Sequence, residues 1–353
     1  MGKTVVVGMS GGVDSSVAAY LLKEQGCQVI GVTMRIWEET KEGEALDGAP
    51  SAAADAKKVA ERLQIPHYVL DFRDEFREKV ISYFIREYSA GRTPNPCNIC
   101  NRYIKWEALL RRAGEYGADY VATGHYARIV KLPNGRYAAA ASATGVKDQS
   151  YALYNLTQEQ LAHTIMPCGE YDKTRIREVA RGLGLAVADK PDSQEICFIP
   201  DKDYAAYIER NTGEKPQEGN FVDKYGNVLG KHKGIIHYTI GQRGGLGLAM
   251  GHYVYVSEIR PKTNEVVIGE NEDIFTDVLT AENINYMGEK SLDGVECLAK
   301  IRYAHKGAPC RVRELHGGRL RVEFEEPQRA VTPGQAVVFY RDGYVLGGGT
   351  ICR

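Results

Sequence analysis

The sequence has no long apolar run. No stretch approaches the roughly 18 consecutive apolar residues of a membrane span, so no membrane is expected as a partner. It has almost no net charge, with 45 lysines and arginines against 46 aspartates and glutamates. A global field that would gather nucleic acid is therefore missing, and any such binding must come from local patches. Cysteine is sparse, eight residues in 353, at 27, 97, 100, 168, 197, 297, 310 and 352. So dispersed in a reducing cytosol, they are not a disulfide framework, and isolated ones such as Cys27 and Cys297 read as small core residues. No signal or transit sequence precedes the first strand-like run, which makes a cytoplasmic protein the expectation. Internal repeats and low-complexity tails are absent. The N-terminal glycines are not closed by Gly-Lys-Ser/Thr, and Gly8 to Gly12 miss the Rossmann spacing, so neither common nucleotide motif applies.

What is present begins at once. Val5, Val6 and Val7 form a short apolar run, as in a strand buried on both faces. A glycine turn follows, then an amphipathic run from Val17 to Gln25. Further strand-like runs at Val29–Thr33, His67–Leu70 and Tyr120–Thr123 alternate with helical runs at Ala52–Leu63, Glu75–Tyr88 and Ile104–Tyr116. Such alternation predicts an α/β domain, a doubly wound parallel sheet whose ligands sit at the carboxyl ends of its strands. A hairpin at 127–141 and a helix at Lys173–Leu183 are also expected. Glu38–Ala49 reads as a loop. Beyond about residue 212, short alternating runs and Gly/Asn turns predict all-β structure in two small units. The expected divisions are 1–200 for a catalytic domain, 201–271 for a small central β domain and 272–353 for a C-terminal β-barrel.

The first turn carries chemistry. Gly11 and Gly12 let the backbone turn sharply and approach a ligand. Ser15 and Ser16 are placed to cap the following helix, whose N–H groups favour an anion. The string Ser10-Gly-Gly-Val-Asp-Ser15 resembles the fingerprint of the PP-loop ATP pyrophosphatases. That resemblance implies a loop cradling ATP phosphates with Gly8, Met9, Ser10, Gly11, Gly12, Val13, Asp14 and Ser15. It implies Mg²⁺ held through Asp14, and cleavage of ATP to AMP and pyrophosphate. Met34 and Gly124, on the same rim, are implied at the adenosine.

A second loop, Gly91-Arg-Thr-Pro-Asn-Pro-Cys-Asn-Ile-Cys-Asn101, is stiffened by Pro94 and Pro96 and presents its cysteines at a helix start, where thiol pKa values fall. No second Cys-x-x-Cys and no His pair at finger spacing completes a zinc site. This loop, Gly124-His125-Tyr126, Lys147-Asp-Gln-Ser-Tyr151, Asp192-Ser-Gln-Glu-Ile-Cys-Phe198, His237-Tyr-Thr-Ile-Gly-Gln-Arg243 and Thr332-Pro-Gly-Gln335 resemble the motifs of the tRNA-specific 2-thiouridylases, in order from residue 2 to about 350. The resemblance implies ATP-dependent 2-thiolation of the wobble uridine of tRNA (position 34). It implies Cys197 as persulfide carrier, Cys100 as its catalytic partner, and a sulfur-donor protein. It also implies contacts with the target base or tRNA at Asn95, Pro96, Cys97, His125, Lys147, Asp148, Gln149, Arg302, Tyr303 and Gln335. The chemistry suits these residue types. A uridine C2 oxygen leaves badly until adenylated, sulfur must arrive as a nucleophile, and a second thiol releases it.

Cys97 departs from the pattern, because many members have Asp there as general acid/base. A thiol with a pKa of ~8.5 serves as a base only if that value is lowered. Two readings stand: Cys97 is a bystander to a Cys100–Cys197 disulfide, or Cys97, Cys100 and Cys197 bind a [4Fe–4S] cluster with one open iron. For RNA, the hydrophobic register around His316-Gly317-Gly318 favours a three-residue loop pairing Val312 with Val322 and Cys310 with Phe324. That puts Arg311, Arg313, Arg319 and Arg321 on one face, suited to phosphates. Other function classes are a small-molecule adenylating synthetase or amidotransferase, opposed by Gly2 where an N-terminal Cys nucleophile would stand, and a non-catalytic carrier, which has no use for the Ser10–Ser15 loop.

Overall fold

The structure, a computed structural model, describes residues 2–37, 51–191 and 196–352. The expected loop at 38–49 and residues Asp192 to Glu195 lie outside them. The catalytic domain is built on a parallel five-stranded sheet. Its strands are β1 (Thr4–Gly8), β2 (Gln28–Arg35), β3 (His67–Asp71), β4 (Tyr120–Ala122) and, after a hairpin of β5 (Ala127–Lys131) and β6 (Tyr137–Ala141), β7 (Thr164–Ile165). The order is β3-β2-β1-β4-β7. Two-residue β7 is too short to show a periodicity, and sequence reasoning missed it.

Successive side chains of a strand point to opposite faces, and here both faces are covered. Val5, Val7 and Val29 pack with Val17, Leu22, Val59 and Ile176 from helices Val13–Glu24, Ala52–Leu63 and Lys173–Gly182. Val6, Val32 and Val121 pack with Phe76, Phe84, Ile104 and Trp106 from the helical segments at 73–89 and 96–114 on the other side. β1 lies at the centre, between β2 and β4, so the loops leaving β1 and β4 run side by side at the carboxyl edge. This is the switch point where open α/β sheets bind ligands.

The central domain is a four-stranded sheet of β8 (Gly219–Val222), β9 (Val228–His232), β10 (Tyr255–Arg260) and β11 (Glu265–Gly269), in the order β10-β11-β8-β9. The C-terminal domain contains β12 (Phe275–Tyr286), β13 (Glu296–Lys300), β14 (Ala308–Leu315), β15 (Arg319–Arg329), β16 (Ala336–Arg341) and β17 (Tyr344–Ile351). These run β12-β15-β14-β13-β16-β17, and β17 pairs back with β12, closing a six-stranded barrel without free edges. The β14–β15 register pairs Val312 with Val322 and Cys310 with Phe324, as the hydrophobic pattern requires.

The β5–β6 hairpin does not stay with its own domain. Ala140 pairs with Tyr344, extending the barrel sheet. Arg136 donates to the carbonyls of Tyr286 and Met287 at 2.5 and 2.8 Å, and Asn285 donates to those of Tyr154 and Leu156 at 2.7 and 3.0 Å. Thr93, in the proline loop, donates its N–H to Pro333 O at 2.8 Å. Its carbonyl accepts from Gln335 Nε2 at 2.9 Å, and its hydroxyl meets that of Thr239 at 3.1 Å. Both other domains therefore grip the segment just before Cys97.

Candidate active site

The phosphate loop differs in one respect from its reading in sequence. The helix begins at Val13, with Gly12 as its N-cap and no capping side chain. Ser15 and Ser16 sit inside the first turn and donate their hydroxyls back to Gly12 O at 3.2 and 2.8 Å, so they do not cap its N–H groups. Donors therefore remain on the first turn for an anion. Ser15 Oγ accepts from Ser10 N at 3.1 Å, which closes the loop on itself. Gly11 has φ +66°, and a Cβ there would stand 2.5 Å from Ala52 O, so only glycine fits between loop and neighbouring helix. Met34 packs its methyl 3.6 Å from where a Gly8 Cβ would stand. Gly124 abuts the backbone of Asp14 and Ser15, with 2.6 Å available to a Cβ.

Asp14 is the hub. Tyr126 OH donates to its Oδ1 at 2.6 Å, Lys173 Nζ lies 2.6 Å from the same oxygen, and Lys147 Nζ lies 3.8 Å from Oδ2. Both ammoniums also stand over the Tyr126 ring, at 4.6 Å for Lys147 and 6.0 Å for Lys173. The arrangement puts one carboxylate and two cations beside the helix N-terminus, a charge pattern suited to polyphosphate with Mg²⁺. Magnesium usually takes one or two carboxylates and completes its shell with phosphates and water. A single Asp14 fits an ion carried in by the nucleotide. Lys173 was missed in sequence because no motif joins it to a loop 159 residues away.

The cysteines of the proline loop lie on the helical layer beneath the same sheet. Helix residues run unbroken from Pro96 to Gly114, α-helical to Ile99, π-helical from Cys100 to Ala108 and α-helical again from Leu109. Pro96 is at the first helical position, where its missing N–H costs nothing, and Asn95 caps by accepting from Cys97 N at 3.1 Å. So Cys97, exposed, occupies the helix start, while Cys100 is one turn inside and buried. The expectation of a lowered Cys100 pKa is overturned. Burial pushes its thiol up to about 11, with Cys97 adding to the rise and Lys105 opposing it. Cys197 keeps residue surface exposed, yet its thiol is desolvated and pushed up to about 12, first by that burial and then by Cys100 and Cys97. The three thiols thus lie within electrostatic reach of one another although they come from distant segments. Phe198 explains how: it packs edge-on against Phe76 and Phe84, ring centroids 5.5 Å apart in each case, and pins the Cys197 turn to the helical layer.

His125 links the two centres. It follows Gly124, shares a 2.7 Å hydrogen bond with Thr123 Oγ1 and lies against Trp106. Its pKa falls well below the ordinary histidine value through burial, then through Lys105 and Lys147, so the ring is neutral at pH 7. Lys105 therefore acts on Cys100, Cys197 and His125 alike. Among the described residues no three His, Cys, Asp or Glu side chains are grouped to hold a metal ion.

The remaining expected positions divide. Tyr303 is 48% exposed, outside the barrel core, with Tyr151 edge-on at 6.1 Å. Asp148 accepts from Ser150 N and Oγ at 3.0 Å each and pairs with Lys300 at 3.6 Å, joining catalytic domain to barrel. Gln149 brackets Tyr126, accepting from its N–H and donating its own N–H to the Tyr126 carbonyl, each at 2.9 Å. Arg302 reaches the Arg329 carbonyl at 3.4 Å. Gln335, as described, fastens Thr93. The arginine face also holds a carboxylate that the sequence reading left out. Glu323 lies 2.8 Å from Arg321 and 3.5 Å from Arg313, and three arginines hold its own pKa down, Arg321 foremost.

Three family models match in the order of the domains. They are a tRNA methyl transferase HUP domain at residues 3–201, a tRNA methyl transferase PRC-barrel domain at 205–270 and an aminomethyltransferase β-barrel domain at 276–351. The tRNA-specific 2-thiouridylase MnmA of Lachnoclostridium phytofermentans is 61% identical, covering 99% of this chain and 100% of its own. Those of Clostridium perfringens and Clostridium kluyveri are 58% and 57% identical, each covering 99% of this chain and 98% and 99% of their own. With identity at that level along nearly the whole chain, and every motif of the site lying within the matched span, this protein belongs to the tRNA-specific 2-thiouridylase MnmA family.

Proposed function

We propose that this chain uses ATP to activate the C2 oxygen of the wobble uridine of tRNA and replaces it with sulfur carried on Cys197. The observation that supports the reading is that Gly124 packs on Asp14 at the phosphate loop while its neighbour His125 shares the electrostatic influence of Lys105 with Cys100 and Cys197. An adenylated base held over these residues stands between the phosphate loop and the thiols.

The residues divide the work. First-turn N–H groups, Lys147 and Lys173 receive the phosphates, and Asp14 holds the Mg²⁺ that arrives with ATP, which neutralises charge on the departing pyrophosphate. Neutral His125 offers a hydrogen bond to the base without adding charge. A sulfur-donor protein loads Cys197 as a persulfide. Its terminal sulfur attacks C2, AMP departs, and the base is left joined to Cys197 through a disulfide. Cys100 then attacks the Cys197 sulfur, releasing sulfur on C2 and forming a Cys100–Cys197 disulfide that an external dithiol reduces. Thiols raised to about 11 and 12 are protonated at rest, which guards them from stray oxidation. Exposed Cys97, at the helix start, is placed to meet the base or the incoming donor.

The test is nucleoside analysis of tRNA incubated with the protein, ATP, Mg²⁺ and a persulfide source. Appearance of 2-thiouridine with one AMP per sulfur supports the reading. ATP cleavage without any tRNA product would overturn it.

A further inference from the structure

Cys297 and Cys310 lie on the barrel and take no part in the site above. They are directly opposed on antiparallel β13 and β14, with Sγ atoms 3.8 Å apart. Opposed residues in such a ladder have Cα atoms ~4.5–5.5 Å apart, inside the ~4.4–6.8 Å window of disulfides. Closing the sulfurs to ~2.05 Å therefore needs side-chain rotation and no slide of the strands.

The two thiols are unequal. The hydrogen bond they share lowers the Cys297 pKa; burial opposes this and the nearby Arg341 guanidinium assists. Cys310 is pushed the other way by the same bond and by burial. Access is unequal as well. Cys310 is 4% exposed, whereas half-buried Cys297 lines a cavity of about 470 Å³ together with Lys300, Lys306, Tyr340 and Arg341. Cys297 is thus more than the small core residue its sequence context implies.

We propose that Cys297 and Cys310 form a peroxide-oxidised dithiol, in which cavity-lining Cys297 reacts first and Cys310 closes a disulfide that staples β13 to β14. The Cys297 thiolate attacks one peroxide oxygen, the O–O bond breaks, and the departing hydroxide takes a proton and leaves as water. Cys297 is then a sulfenic acid, oxidised by two electrons. Cys310 gives up its proton and attacks the Cys297 sulfur. The S–O bond breaks and a second water leaves with that proton. Two thiols and one peroxide become one disulfide and two waters, and a dithiol reductant reverses the change.

The test treats the reduced full-length protein with hydrogen peroxide, quenches with N-ethylmaleimide and digests with trypsin without reductant. Mass spectrometry should find peptide 291–300 joined to peptide 307–311, lighter than the two together by two hydrogens. Cys310→Ser should lose the link and accumulate Cys297 sulfenic acid, trapped by dimedone, with tRNA thiolation unchanged. Cys297→Ser, at the more open position, should lose the link and leave Cys310 unmodified. It carries the test if the buried Cys310 variant fails to fold. Absence of the link at about tenfold molar peroxide overturns the proposal. So does Cys310 oxidation in the Cys297→Ser protein at an undiminished rate.

Discussion

Gly124→Ala should damage adenylation through one methyl group. An added Cβ would stand 2.6 Å from Asp14 C and Ser15 N, and 2.8 Å from Asp14 Cβ, where ordinary contact begins at 3.4 Å. About 0.8 Å must be taken up, and the atoms in the way are backbone. Gly124 is not among the positive-φ glycines, so the effect is steric and not conformational. β4 cannot yield easily, because Val121 and Ala122 are fully buried and hydrogen-bonded between β1 and β7. The first turn of helix Val13–Glu24 must give instead, and with it the N–H donors and the Asp14 carboxylate. Overpacking of this kind costs ~1–3 kcal/mol of stability. Misplacing a catalytic group by ~1 Å can cost ~100-fold in rate, so tRNA-dependent pyrophosphate release should fall by roughly 10- to 100-fold, or about 1.4–2.7 kcal/mol of barrier. The assay is pyrophosphate release at saturating tRNA, beside a thermal melt. Gly114→Ala is the control, since nothing lies within 4 Å of its Cβ position and helix propensity improves by up to ~1 kcal/mol. If Gly124→Ala keeps its rate within about twofold and its melting temperature, the close packing of the β4 rim on the phosphate loop has been misjudged.

Asp14→Asn should abolish pyrophosphate release and leave tRNA binding near normal, measured by filter binding; retained cleavage would remove the carboxylate from the phosphate site. Cys197→Ser should still adenylate tRNA yet make no 2-thiouridine, and full thiolation by that variant would exclude Cys197 as carrier. Cys100 and Cys197, raised to about 11 and 12, are thiols below those values and thiolates above them, so their alkylation by iodoacetamide should climb with each pH unit from 7 to 10. The unfolded chain loses these protons first, near ~8.5; stability is therefore unaffected below that pH and falls as pH rises toward the folded values, which alkaline melts would reveal. Arg311→Ala should flatten the salt dependence of tRNA binding by about one phosphate contact, and Arg313→Ala by less, because Glu323 already holds Arg313. Equal slopes for the two variants would refute that distinction.

Much was legible in the chain because local chemistry is repeated there without contradiction. Alternating valine strands and amphipathic helices call for a covered parallel sheet, and the register of β14 on β15 follows from which side chains must be buried. The phosphate loop announces itself because glycine, serine and aspartate at that spacing answer a single backbone problem. What the chain concealed was distance and dielectric. The pKa of a thiol depends on how much water it loses, and nothing in Cys-x-x-Cys tells which cysteine is buried; Pro96 at the first helical position moved the helix start onto Cys97 and drew Cys100 into the core. Lys173 reached Asp14 only when separate segments met, whereas Glu323, two residues from Arg321 on the same strand, lay within reach of the sequence pattern and was passed over.

The sequence by itself determined the element order and the phosphate loop, since these rest on side-chain periodicity and on residue chemistry within a few positions. Tertiary structure alone decided how the centres face each other. The β5–β6 hairpin joined the barrel, Gln335 and Thr239 gripped Thr93, and Phe198 drew Cys197 toward Cys100. Each of these is a contact between residues far apart in the chain, made when buried area and hydrogen bonding outweigh the entropy of closing long loops, and that balance is struck only in the folded whole.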